Sequence, residues 1–222
     1  WVGDAIKQMN LPREELFLTT KIWIDAYTKE KCQKSFEESL RKLQTEYVDL
    51  VLLHWPNSRL DHRVPLDVLL DFQQQWKIRN IGVSNFTIAQ LDEAIQHTWN
   101  QIYTNQIEYH VFFDPIKIRT HMQQKWICLT AYAPFSHGDV FGNESLQQLA
   151  EKHNKSVAQI CLRRLIQQED VSTLPKSTNS QRLEENIAVF DFELDEDDLS
   201  IISWLPKDQR HFNPMFHPIW DD

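Results

Sequence analysis

The chain has 222 residues, with 23 Lys+Arg against 32 Asp+Glu, a formal net charge of −9. That balance disfavours coating nucleic acid or an anionic lipid surface. Apolar residues make up 41% of the chain, enough for a sizeable core and too many for a disordered one. No apolar run nears the ~20 residues of a membrane span; the longest, around Val51-Leu52-Leu53, is broken by His54. Cys32, Cys128 and Cys161 are odd in number, widely spaced and free of any C-x-x-C. They point to a reducing, intracellular setting and not to a disulfide scaffold or zinc ribbon. Glycine is scarce, four residues where average usage would give roughly 15, while tryptophan occurs eight times. The opening Trp1-Val2-Gly3-Asp4-Ala5-Ile6 reads as the middle of a helix, which implies a piece of chain upstream.

In chain order, short apolar runs alternate with segments of helical period. Strands are predicted at Leu16–Lys21, Val48–His54, Arg79–Val83, Ile102–Gln106, Ile127–Tyr132 and Val171–Pro175. Helices are predicted at Lys29–Gln44, Leu66–Trp76, Ile88–Thr98, Ile116–Lys125, Glu144–His153, Val157–Gln168 and Ser180–Val189. Thr28 and Thr87 stand where N-caps belong. Phe36, Leu40 and Leu43 recur at three- and four-residue spacing. Strands separated by helices imply parallel βα units, and near-continuous apolar strands imply both sheet faces are covered. The acidic run Asp195-Glu196-Asp197-Asp198 fits a solvated helix start. The tail after Leu205, rich in Pro and aromatics, reads as an extended loop. No repeat or linker divides the chain, so residues 1–222 are read as a single domain.

What ends each strand is the informative pattern. The runs finish at Lys21, His54, Ser84-Asn85, Asn105-Gln106, Tyr132 and Lys176-Ser177. In parallel α/β folds the carboxyl ends of strands carry the site. Each residue alone has a plainer explanation: a solvated Lys, a hydrogen-bonded core His, an amide satisfying backbone. Their joint occurrence is what argues for a site. Neither G-x-G-x-x-G nor G-x-x-x-x-G-K-[ST] is present, nor a G-x-S-x-G elbow. The nine histidines show no standard ligand spacing, and no metal is expected, His211 and His217 included.

The segments Thr19-Thr20-Lys21-Ile22-Trp23, Leu52-Leu53-His54-Trp55-Pro56, Ile81-Gly82-Val83-Ser84-Asn85-Phe86 and Thr104-Asn105-Gln106-Ile107-Glu108 resemble the aldo-keto reductases. So do Ala131-Tyr132-Ala133-Pro134 and Leu174-Pro175-Lys176-Ser177 followed by Arg182, Glu185 and Asn186. The ending Asn213-Pro214…Pro218-Ile219-Trp220-Asp221 looks most like the prokaryotic branch that includes 2,5-diketo-gluconate reductases. The resemblance implies a (β/α)8 TIM barrel whose first two strands, with the catalytic Asp and the proton-donating Tyr, lie in about 50 residues of family pattern upstream of Trp1.

By the same resemblance the activity is NADPH-dependent reduction of an aldehyde or ketone. Lys21 matches the lysine that lowers the tyrosine's pKa, and His54 the histidine that orients the carbonyl. Trp23 and Trp55 would wall the substrate pocket. Tyr132 matches the ring that stacks on nicotinamide, and Ser84, Asn85 and Gln106 the group that binds its carboxamide. Lys176, Ser177 and Arg182 match the clamp on the 2′-phosphate of NADP(H), and Glu185 and Asn186 the adenine contacts. The partner is a small carbonyl compound, with no nucleic acid or membrane, and the family default is a cytoplasmic monomer. The alternative is a non-catalytic NADP-binding barrel acting as a sensor or relic. One departure stands out. Trp76, Trp126 and Trp99 fall where the family has Gly or a small residue, the first two at left-handed turn positions. The helix Leu66–Trp76 also looks short by up to a turn.

Overall fold

The computed structural model describes residues 2–9 and 11–221. Trp1, which opens the predicted helical run, lies outside them; α1 is Val2–Met9. The strands are β1 (Thr19–Ile22), β2 (Val48–Leu53), β3 (Ile78–Ser84), β4 (Ile102–Glu108), β5 (Cys128–Tyr132) and β6 (Val171–Thr173). Between them run α2 (Lys29–Leu43), α3 (Arg63–Gln74), α4 (Ile88–His97), α5 (Ile116–Gln124), α6 (Glu144–His153) and α7 (Val157–Ile166). After β6 come α8 (Ser180–Ile187) and α9 (Glu196–Ser203). The sheet order is β1-β2-β3-β4-β5-β6, sequential throughout, as successive βα units give. The described residues fall into two compact units, one of residues 2–9, 11–105 and 215–221, the other of residues 106–214.

In the first unit β1, β2 and β3 pair in parallel, with Lys21 beside Leu52 and Leu52 beside Gly82. Every residue of β2 is buried, as a strand covered on both faces requires. Gly82 is required by close approach: a Cβ there would lie 2.6 Å from the Leu52 side chain and 2.8 Å from the Thr104 carbonyl oxygen. The α2 stripe buries Cys32 and Phe36, with Leu40 and Leu43 at its margin. Thr87 caps α4 in a full capping box with Gln90. Thr28 occupies the cap position of α2, but its side chain makes no capping bond. Helix α3 begins a turn earlier than its apolar period suggests, because Arg63 and Val64 face outward before Pro65 and Leu66 enter the core.

In the second unit β5 and β6 pair in parallel, Ala131 beside Thr173. Its core gathers Val140, Leu146, Leu149, Ile160, Cys161, Leu194 and Ile202. The acidic run does open a helix, with Asp195 capping α9. Asp198, however, is fully buried, where Lys152 and His153 each approach its carboxylate at 2.7 Å. The three cysteines are free. After Leu205 the described chain has no further helix or strand. Among the described residues no helix is long and apolar enough to cross a membrane.

Candidate active site

Lys21 sits in β1 and His54 directly follows β2, and the parallel register brings them together. The His54 N–H donates to the Ile22 carbonyl at 3.0 Å, which fixes the imidazole's backbone beside the Lys21 strand. Burial pulls the Lys21 ammonium below its ordinary pKa. Burial, reinforced by the Lys21 charge, lowers His54 to about 4. At neutral pH the pair is therefore a cation beside a neutral imidazole. Trp23 meets the His54 ring edge-on at 5.0 Å. Trp55 is buried, and its carbonyl accepts a 2.6 Å bond from the Tyr27 hydroxyl.

Ser84 ends β3 and Asn85 follows it at φ 62, a left-handed position that Asn tolerates. The Asn85 amide donates to the His54 carbonyl and to Ser84 Oγ, both at 3.1 Å. Asn85 thus braces the histidine from the neighbouring strand. Asn105 serves the backbone, since its side chain accepts from the Phe86 N–H and donates to the Phe86 carbonyl.

In the second unit Gln106 is buried within β4, which runs on to Glu108. Tyr132 ends β5, half-buried, its phenol pushed upward by burial and by the Glu108 charge. Lys176 and Ser177 do not end a strand: β6 stops at Thr173, and the pair lies in the turn that leads to α8. Ser177 Oγ accepts from the Asn179 N–H at 3.0 Å, and Asn179 caps α8 at the Arg182 N–H. Lys176 and Arg182 are exposed around this helix start. Glu185 is half-buried and accepts from Gln181 at 3.2 Å; Asn186 is half-buried on the same helix.

Two features escape the sequence reading. Phe216 packs edge-on against Trp23 at 5.8 Å and Trp55 at 5.6 Å. A lone Phe in a loop carries no periodic signal. The second feature is a cluster at the end of β4. Glu108, His110 and His211 offer ligand atoms within 4.8 Å of one another, a grouping that histidine spacing does not reveal because His211 is distant in sequence. Hydrogen bonding accounts for it. His110 Nδ1 accepts from the Phe112 N–H at 3.3 Å, so its Nε2 carries the hydrogen and faces Glu108 Oε1 at 3.1 Å. With both ring nitrogens engaged, no lone pair on His110 is left for a cation.

The aldo/keto reductase family model matches residues 1–205. The chain belongs to this family. It is 40% identical over 209 residues to the glyoxal reductase of Bacillus subtilis (strain 168), covering 94% of this chain and 75% of that protein. A crystal structure described as a 2,5-diketo-D-gluconic acid reductase B superposes with a TM-score of 0.97 at 38% identity, covering 100% of this chain and 79% of that one. A variant of Gox0644 in complex with NADPH superposes with a TM-score of 0.89 at 32% identity, covering 96% and 77%. The aldo-keto reductase chain is thus an α/β protein of the (β/α)8 barrel type, with six parallel-sheet strands among the described residues. It is an NADP(H)-dependent oxidoreductase that reduces a carbonyl group. The non-catalytic alternative finds no support among these reductases.

Proposed function

We propose that this aldo-keto reductase reduces a small 2-oxoaldehyde, of the glyoxal and methylglyoxal type, with Lys21 and His54 acting at the carbonyl oxygen. The observation that carries the proposal is the Lys21–His54 pair, a half-buried lysine beside an imidazole held neutral, next to exposed aromatic surface. Trp23, Trp55 and Phe216 form an apolar wall beside the pair. The glyoxal reductase of Bacillus subtilis and a methylglyoxal reductase of Escherichia coli O157:H7, 37% identical over 224 residues, support the substrate class.

NADPH supplies the hydride when it is bound. As the carbonyl carbon gains it, negative charge grows on oxygen, and a neutral His54 donates a hydrogen bond there without the cost of losing a charge. Lys21 matches the family lysine that favours ionisation of the proton-donating tyrosine acting at this oxygen. The donor set suits the cofactor. In the first unit, Ser84 and Asn85 present buried hydroxyl and amide groups suited to the nicotinamide carboxamide. In the second, Gln106 is assigned to the same group and Tyr132 to the ring face. Lys176, Ser177 and Arg182 combine a point charge, a hydroxyl and a planar fork at a helix start, which suits a 2′-phosphate dianion. Glu185 and Asn186 follow on α8 for adenine. The family default carried by the resemblance is a cytoplasmic monomer, and free cysteines fit a reducing setting.

The test is consumption of NADPH with methylglyoxal as substrate, against a longer sugar-derived ketone. We expect turnover of the first with kcat/KM at least about tenfold higher. Equal or reversed preference would overturn the substrate assignment.

A further inference from the structure

Glu108 is a carboxylate sealed inside the second unit, with none of its side chain exposed. Such burial is costly unless every oxygen is satisfied, and here both are. Oε1 accepts the His211 N–H at 2.8 Å and faces His110 Nε2; Oε2 accepts the Phe212 N–H at 3.0 Å. Burial raises the carboxyl's pKa, but the His110 bond and the two backbone N–H groups outweigh it and leave it below the ordinary value. A charged clamp therefore grips two successive peptide groups of the tail.

The grip lies at a telling point. Residues just before it are tied elsewhere: the Gln209 N–H donates to the Phe112 carbonyl, and Lys207 Nζ donates to the Val111 and Ile202 carbonyls. The Glu108 clamp thus controls only the following stretch, His211-Phe212. Phe212 meets the Tyr132 ring edge-on at 5.1 Å and 87°. The backbone of Tyr132 is fastened by the residue next to the clamp, since the Tyr109 N–H donates to the Tyr132 carbonyl at 3.4 Å. The loop after Tyr132 is closed from the same side, where Ser136 Oγ meets His211 Nε2 at 2.7 Å.

We infer that Glu108 is a positioning residue for cofactor binding, holding His211-Phe212 so that Phe212 sets the plane of the Tyr132 ring. This rests on the assignment of Tyr132 to the nicotinamide. A ring meant to receive a flat heterocycle must be held in orientation before the ligand arrives, and an edge-on neighbour anchored by a charged hydrogen bond does so without covering its face.

The test uses Glu108→Gln and Phe212→Leu in the full chain, read by NADPH affinity and by the change in NADPH fluorescence on binding. Glutamine keeps the shape but turns an N–H toward an N–H, so one backbone bond fails. We expect E108Q to weaken NADPH about tenfold and to alter the fluorescence signature, with KM for the carbonyl substrate unchanged. F212L, which leaves the carboxylate intact, should reproduce the signature, and the double variant should be no worse than E108Q alone. A lower melting temperature with NADPH affinity and signature unchanged in both variants would make Glu108 merely structural and overturn the inference. So would additive losses. Failure of the unsubstituted protein to bind NADPH would instead overturn the assignment of Tyr132 itself.

Discussion

The carboxyl ends of the strands and the turns that lead into them obey different rules. At the ends of β2 and β3, His54, Ser84 and Asn85 are polar groups partly or wholly drawn out of water and tied to one another. In the turns ahead of β3, β4 and β5 stand Trp76, Trp99 and Trp126, at φ 62, 55 and 58. Those rings are 84–88% exposed. At the first location the side chain is specified and the backbone merely delivers it. At the second the backbone is specified, and the side chain is whatever can be left in water. Substitutions should therefore separate the two, activity changing at one and stability at the other.

The largest effect belongs to Lys21→Met. Removing the cation should lower kcat by roughly 10²–10⁴-fold, the usual worth of acid–base assistance, in an NADPH-consumption assay. The thermal midpoint should hold or rise, since burial already disfavours the ammonium. A large loss of stability with little change in kcat would place Lys21 among the structural residues instead.

His54 makes a smaller contribution with a defined sign. Its imidazole is lowered from 6.5 to about 4 in the folded protein. Between those values the unfolded chain binds the proton and the folded one does not, so stability rises with pH across that window. The contribution is complete above about 6.5 and is lost as pH falls through about 4. Denaturation midpoints measured across this range should show the slope, and His54→Gln should flatten it. An unchanged slope would mean that other groups carry the acid sensitivity.

The same contrast explains what was legible. Strand positions follow from apolar runs because a strand covered on both faces tolerates little else, and β2 is buried end to end. Yet that run hides Asp49, a buried carboxylate that pairs with Arg13 at 2.6 Å and Arg79 at 3.2 Å and accepts the Leu18 N–H. Its partners sit at either side in sequence, so no local pattern announces it. Lys21 and His54 were legible because each interrupts an apolar run. Glu108 was visible only as part of a motif, since its work depends on His211 and Phe212, over a hundred residues away. Phe216 was invisible for the same reason. Trp76 and Trp126 were legible as misplaced glycines, because a helix-to-strand turn demands positive φ whatever residue fills it.

Those turns give the smallest and cleanest effect. A bulky residue at positive φ costs about 1 kcal/mol relative to glycine, and an exposed ring recovers little by packing. Trp76 is held by backbone bonds alone at its N–H, which donates to the Gln73 carbonyl at 2.9 Å; Trp126 donates likewise to Gln123 at 3.2 Å. Glycine keeps those bonds and removes the strain, though it also loosens the unfolded chain and so returns part of the gain. Trp76→Gly and Trp126→Gly should each raise the melting temperature by about 2–4 °C, with kcat and NADPH affinity unchanged. The two turns lie in different units, so the gains should add. No rise in either variant would mean that the exposed rings contribute contacts or a bound partner worth as much as the strain. A fall in kcat would break the separation between strand ends and turns altogether.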